Sequence, residues 1–188
     1  RCSANAADVR PFWLRALGVY GGTALACYSV GVIAVFAFLR TVGYPVSIVH
    51  VGLPPLWHKV GQARGGFFLE RSNRAFEQGR TAEGLLYLSN AYDFDPTNYT
   101  AGLSLAKHFQ VGQPARSDEV FARLMREHPE RRHATAQDWF RALLARGNFK
   151  QIVELARAEV LMDAKQAAVW VRVLLFASRQ TRDDAPLR

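Results

Sequence analysis

An uninterrupted apolar run near the N-terminus is the clearest pattern in this chain. Residues 16–39 contain 24 residues without a charged side chain, between Arg15 and Arg40. A helix of this length extends roughly 36 Å, and a hydrocarbon core is about 30 Å thick. A buried core helix is usually shorter and keeps a polar stripe, and the apolar region of a signal peptide is shorter still. The run therefore predicts a single transmembrane helix over residues 16–39, after an N-terminal flank at residues 1–15.

The pattern changes after the apolar run. Residues 40–64 are apolar but rich in proline and glycine, and another glycine pair follows at residues 65–66. Proline and glycine at this density exclude one continuous helix, so we predict a juxtamembrane connector over residues 40–64. We expect residues 46–53 to lie on the bilayer surface or against the following domain. Tyr44 and Trp57 are then interfacial aromatic residues.

From residue 65 onward, helix-like segments recur around three central glycines. Gly79, Gly112 and Gly147 are 33 and 35 residues apart, and apolar residues at spacings of three and four flank each of them. Helix–turn–helix units with a period near 34 are typical of an α-solenoid, in which each pair buries its apolar face against the next. A helical bundle without repeats remains the alternative. Strand patterns are nearly absent, so we predict an all-α chain.

These units resemble tetratricopeptide repeats (TPRs). The matching positions are Ala75, Gly79, Ala91 and Pro96 in the first unit, Gly112, Phe121, Leu124 and Pro129 in the second, and Gly147, Phe149 and Ala156 in the third. Gly84, Ser117, Phe140 and Ala164 depart from the family pattern. The resemblance covers about residues 65–164, and residues 166–178 resemble a capping helix. It implies a solenoid of about three helix pairs over residues 65–178, followed by a polar tail at residues 179–188.

The resemblance also implies a binding groove lined by the first helix of each pair. Its expected lining is Leu69, Asn73, Phe76, Tyr99, Ala106, Phe109, Gln137, Arg141 and Leu144. Of these, the candidate partner-binding residues are Asn73, Phe76, Tyr99, Phe109, Gln137 and Arg141. Aromatic, amide and guanidinium groups together suit an extended or helical peptide. Phe76 and Phe109 have an alternative role, because they are also suited to packing between the repeats.

The net charge of +8 is unevenly distributed. Residues 1–64 carry six Lys/Arg against one Asp, residues 65–129 seven against eight acids, and residues 130–188 eleven against seven. The basic membrane flanks suit anionic lipid headgroups, and no clustered basic motif indicates nucleic-acid binding. Because more arginines lie before the apolar run than directly after it, the positive-inside rule places the N-terminus in the cytoplasm and the repeats on the opposite side.

No motif indicates catalysis, a cofactor or a metal site. The chain contains no phosphate-binding glycine loop, HExxH, GxSxG or CxxC sequence, and we interpret His50 and His58 as interfacial residues. We therefore expect a non-enzymatic adaptor or assembly scaffold that holds a protein partner at the membrane. The alternative is a structural subunit whose transmembrane helix packs in a larger complex. The first residue is Arg rather than Met, so the sequence is compatible with a fragment. A third interpretation is that this domain supports an enzyme encoded upstream of residue 1.

Overall fold

The structure is a computed structural model that describes residues 12–162 and 166–181. Within these ranges it is helical and contains no strand, which confirms the all-α class. The helices are α1 (Phe12–Val42), α2 (Ile48–Gly52), α3 (Trp57–Glu77), α4 (Thr81–Phe94), α5 (Tyr99–Phe109), α6 (Pro114–Glu127), α7 (Arg132–Ala145), α8 (Phe149–Met162) and α9 (Ala167–Thr181). Short 3-10 turns occupy Pro54–Leu56 and Pro129–Arg131. Most of the N-terminal flank, Ala164 and most of the polar tail lie outside the described residues.

Helix α1 contains the predicted transmembrane segment. Among the described residues it is the one helix that is long and apolar enough to cross a bilayer, over Arg15–Val42. Its large apolar side chains are exposed along its length, including Leu17, Leu25 and Phe38. Apolar side chains in this number are unfavourable in water, so their exposure is consistent with a lipid environment.

The chain folds back along α1 after the helix ends. The hydroxyl of Tyr28 donates a hydrogen bond to the carbonyl oxygen of Gly52 in α2. Farther along, the Tyr44 ring lies edge-on to Phe67 of α3, with 4.9 Å between the ring centroids. The first half of α3 therefore runs beside the C-terminal half of α1. Residues 46–53 were expected on the bilayer surface or against the domain. Helix α2, which lies in this segment, packs against both α1 and α3.

Helix α3 begins at Trp57, inside the segment assigned to the connector, and continues through all three of its glycines. Two of them face the antiparallel helix α4 at very short range. A Cβ atom at Gly61 would lie 2.8 Å from the carbonyl oxygen of Phe94, and one at Gly65 would lie 2.5 Å from the Cβ of Asp95. These glycines therefore allow close packing of two helices, and they do not break α3.

From α3 onward, each helix packs chiefly against its neighbours in sequence. Gly79 and Gly147 terminate α3 and α7 with positive φ angles of 72° and 67°. In both turns the amide of the following residue, Arg80 or Asn148, donates to a carbonyl oxygen five residues earlier. This is the Schellman arrangement, which satisfies carbonyl groups at a helix end. Gly112 lies in the α5–α6 turn, also with positive φ.

Two departures from the repeat pattern have a structural explanation. A Cβ atom at Gly84 would lie 2.7 Å from the ring of Phe76, so only glycine fits between that ring and α4 without a shift. Ser117 is fully buried, and its hydroxyl donates to the carbonyl oxygen of Ala106 at 2.8 Å. The α3–α4 pair has a bond in the opposite sense: the hydroxyl of Ser72 in the first helix donates to the carbonyl oxygen of Gly84 in the second.

Candidate functional site

The predicted groove residues lie on α3, α5 and α7, the first helices of the three pairs. Side-chain contacts join neighbouring members of this set. Phe76 of α3 stacks on His108 of α5, with 4.7 Å between centroids. The ammonium group of Lys107 lies 3.1 Å from a carboxylate oxygen of Asp138, which links α5 to α7. These side-chain contacts join α3 to α5 and α5 to α7.

The three aromatic candidates are differently placed. Phe109 is only 7% exposed and belongs to the core cluster with Leu105 and Phe121. Phe76 is half-buried against His108. Tyr99 is half-buried, and its hydroxyl lies 3.1 Å from the hydroxyl of Thr135. Packing between helices accounts for Phe109, whereas Phe76 and Tyr99 keep part of their surface open.

The polar candidates are exposed. Asn73 is exposed on the last turns of α3. The guanidinium of Arg141 is 72% exposed and lies 3.0 Å from Asp138. Gln137 is also exposed, and its amide nitrogen lies 2.8 Å from Nε2 of His133 one turn earlier. These groups can therefore reach a ligand without leaving a buried polar atom unpaired.

Gln137 and Arg141 meet at a pocket between α7 and α9. Its volume is about 240 Å³, and its lining residues are His133, Gln137, Phe140, Arg141, Val169, Trp170 and Val173. Phe140 lies edge-on to Trp170, with 6.2 Å between the ring centroids. Apolar walls with an amide and a guanidinium group at the rim are the usual composition of a small recognition pocket.

Trp170 is one of the pocket residues that are absent from the sequence-based candidates. It is only 3% exposed, and its indole Nε1 has no hydrogen-bond partner among the described residues. A buried donor without a partner is costly, so it marks a position where a ligand acceptor or a water molecule can be accommodated. Two features of the sequence could have indicated this pocket: a tryptophan in the predicted capping helix, and the unusually large Phe140 in the third unit.

The charge around Arg141, beside the pocket, is positive. Asp138 is shared between Arg141 and Lys107, at 3.0 and 3.1 Å. One carboxylate therefore faces two cations, and an acidic group of a ligand would complete the charge balance. Because both cations are mostly exposed, each pair alone contributes little to stability.

A second polar cluster joins α4 to α6. Burial raises the pKa of Tyr92, and the hydrogen bond that its hydroxyl donates to Glu127 raises it further. Although burial disfavours the charged form of Arg123, hydrogen bonds to Glu127 and Asp93 raise its pKa. The raised pKa values favour the neutral form of Tyr92 and the charged form of Arg123. Each group has a partner, so the cluster is a structural contact between the two pairs.

Comparison with known proteins gives no identification. No protein-family model matches the chain, and no curated protein or solved structure matches it. Among the residues that the structure describes, no three His, Cys, Asp or Glu side chains gather in a cluster that could hold a metal ion. Function is therefore inferred from the geometry of the chain itself.

Proposed function

We propose that this protein is a non-enzymatic, membrane-anchored adaptor or assembly scaffold that binds a protein partner through a TPR-like groove. In this proposal α1 crosses the bilayer with its N-terminus in the cytoplasm. The start of α3 lies beside α1, and the helices from the second half of α3 to α9 form a short solenoid on the other side. Consecutive packing of α3–α9 and left-handed glycines at three equivalent turns support the solenoid. The apolar, exposed surface of α1 supports the anchor.

The observation that carries the proposal is the convergence of Gln137 and Arg141 on the pocket beside Trp170. The resemblance to tetratricopeptide repeats places the same two residues in the groove. Their guanidinium and amide groups suit a carboxylate and a backbone amide of a bound segment, and the apolar wall suits one side chain. We therefore expect an extended or helical peptide segment with an acidic group.

Arg141→Glu is the first test of this groove. Reversing the charge should weaken partner binding about tenfold, equivalent to about 1.4 kcal/mol, because the acidic group would then face a carboxylate. Site-specific photocrosslinking measures this in native membranes. p-Benzoylphenylalanine replaces Leu144, which is exposed on α7 close to Arg141, and the crosslinked band is compared with and without Arg141→Glu. The melting temperature should stay unchanged because Arg141 is exposed.

Arg157→Glu is the matched control. Arg157 is exposed on α8, away from the pocket lining, and the substitution changes net charge equally. A discrete crosslink that Arg141→Glu removes and Arg157→Glu leaves intact supports the groove. A crosslink of equal strength in both variants shows that the groove is wrongly assigned.

A specific feature of α1 favours the alternative function, a structural subunit of a membrane complex. Gly18, Gly21 and Gly22 are exposed, and a Cβ atom at any of them would meet no atom within 4 Å. Small residues of this kind allow another transmembrane helix to approach closely. Under this alternative, Gly22→Leu abolishes co-purification of the complex in mild detergent, while Arg141→Glu has no effect. Under the adaptor proposal, the reverse holds.

A further inference from the structure

A cleft separates α1 from α3, at the level where the chain folds back. Its volume is about 550 Å³, and it is open along one side. Val32, Val35, Leu39 and Val60 supply apolar walls, and Trp57 lies in the lining as well. The walls of the cleft thus resemble the interior of a bilayer in composition.

Arg64 is the charged residue among the cleft-lining residues. Its guanidinium carbon lies 3.7 Å from the ring centroid of Phe94 and 5.7 Å from that of Tyr44. Nε is buried without a hydrogen-bond partner among the described residues, and none of the ion pairs found there includes Arg64. Aromatic faces hold the group in place but provide no hydrogen-bond acceptor for it.

The surrounding sequence is positively charged. Residues 12–69 contain no Asp or Glu, whereas Arg15, Arg40, Lys59 and Arg64 fall within them. Lys59 is exposed five residues before Arg64, about 7.5 Å along the helix, and a lysine side chain can extend over this distance toward the headgroups. Outside this range, Asp95 packs against Gly65, but its carboxylate accepts a hydrogen bond from Thr97 and forms no ion pair with Arg64 in the described part of the chain. A ligand can therefore supply the counter-charge for Arg64.

The length of the cleft along α1 matches the thickness of the hydrocarbon region of one leaflet. Tyr28 and Leu39, at opposite ends of the lining on α1, are eleven residues or about 16 Å apart. Half of a hydrocarbon core is about 15 Å. Because the exposed apolar face of α1 continues to Phe38, the cleft lies at acyl-chain depth, with Arg64 near its headgroup end.

We propose that the cleft binds one anionic phospholipid of this leaflet. Its phosphate accepts hydrogen bonds from the Arg64 guanidinium, and one acyl chain fills the apolar space between α1 and α3. Arginine is well suited to phosphate because its planar N–H groups can donate in pairs. The bound lipid would connect α1 to α3 across the cleft.

The test uses the full chain in nanodiscs of phosphatidylcholine with phosphatidylglycerol. After release into mild detergent, native mass spectrometry should show one phosphatidylglycerol retained on the wild-type chain. Arg64→Gln should weaken retention about tenfold or more, since a charge-assisted hydrogen bond is lost. Gly31→Leu should block the cleft, because Gly31 lines it and a Cβ atom there meets open space.

Arg71→Gln is the matched control. Arg71 also lies over an aromatic ring of α3, at 4.4 Å from the centroid of Phe67, but it is absent from the cleft lining. The proposal is supported if phosphatidylglycerol is lost from Arg64→Gln and from Gly31→Leu but is retained by Arg71→Gln. It is overturned by equal retention in Arg64→Gln and Gly31→Leu, by equal retention of phosphatidylcholine, or by a second copy of the chain occupying the cleft.

The lipid proposal rests on the membrane anchor of the proposed function, and its failure can be distinguished from failure of the anchor. A chain that does not enter nanodiscs contradicts the anchor. A chain that enters but retains no phosphatidylglycerol contradicts the lipid site alone. Crosslinking at Leu144 is an independent measurement of the groove.

Discussion

At the residue scale, neighbouring glycines of α3 have opposite roles. Gly65 is buried against Asp95 and the carbonyl oxygen of Ala91, whereas a Cβ atom at Gly66 would meet no atom within 4 Å. Residue type alone cannot predict this difference, because both positions are glycines of the same helix. The separation depends on which face of α3 meets α4.

Replacing each of the two glycines by alanine gives opposite changes in stability. Gly65→Ala should lower the free energy of unfolding by about 1–3 kcal/mol, because the new methyl group overlaps α4. Gly66→Ala should leave it unchanged or raise it by up to about 1 kcal/mol, because alanine favours the helix. Denaturant unfolding of the reconstituted chain, followed by circular dichroism, measures both. Similar values for the two variants would show that α3 and α4 are not closely packed at Gly65.

At the element scale, the turns between paired helices depend on backbone conformation more than on side-chain contacts. Gly79 has a φ of 72°, and no atom lies within 4 Å of the position of a Cβ atom. Any cost of substitution there is therefore conformational. The preceding carbonyl groups are satisfied only while this residue keeps its left-handed conformation.

Gly79→Ala should lower the free energy of unfolding by about 1–2 kcal/mol, since an L-residue with a Cβ atom disfavours positive φ. Gly79→Asn should cost less, because asparagine adopts this conformation more readily. The denaturant midpoint should shift with an unchanged m-value. An equal loss in both variants would indicate a steric cause and would contradict the open surroundings of the turn.

The helices after α2 were largely predictable because their local patterns are strong. Periodic apolar residues and three turn glycines near a 34-residue spacing predicted the paired helices. The start of α3 at Trp57 was not predictable in the same way. Glycines usually weaken a helix, and their compensation by close contact with Phe94 and Asp95 is a tertiary effect.

At the scale of the whole molecule, the candidate site was predictable in part. Gln137 and Arg141 are among the groove positions that the resemblance implies, whereas Asn73, another of those positions, does not line the pocket. Trp170 was not predicted, because its contact with Phe140 joins helices that are distant in sequence. The cleft at Arg64 had no sequence signature either, since it forms only when residues 46–57 fold back along α1.

If the proposed anchor, groove and lipid site are correct, the continuity of α3 limits how far the groove can lie from the membrane. Arg64 lies at the headgroup end of the cleft, and Phe76 lies twelve residues later on the same unbroken helix. Twelve residues of helix correspond to about 18 Å, which is an upper limit to the extra height of the first groove residues. Because the helix is rigid, this length sets a maximum distance between the groove and the headgroups. This limit would favour partners whose binding segment runs close to the bilayer, and a tilt of α1 would be passed on to the groove as a change of direction.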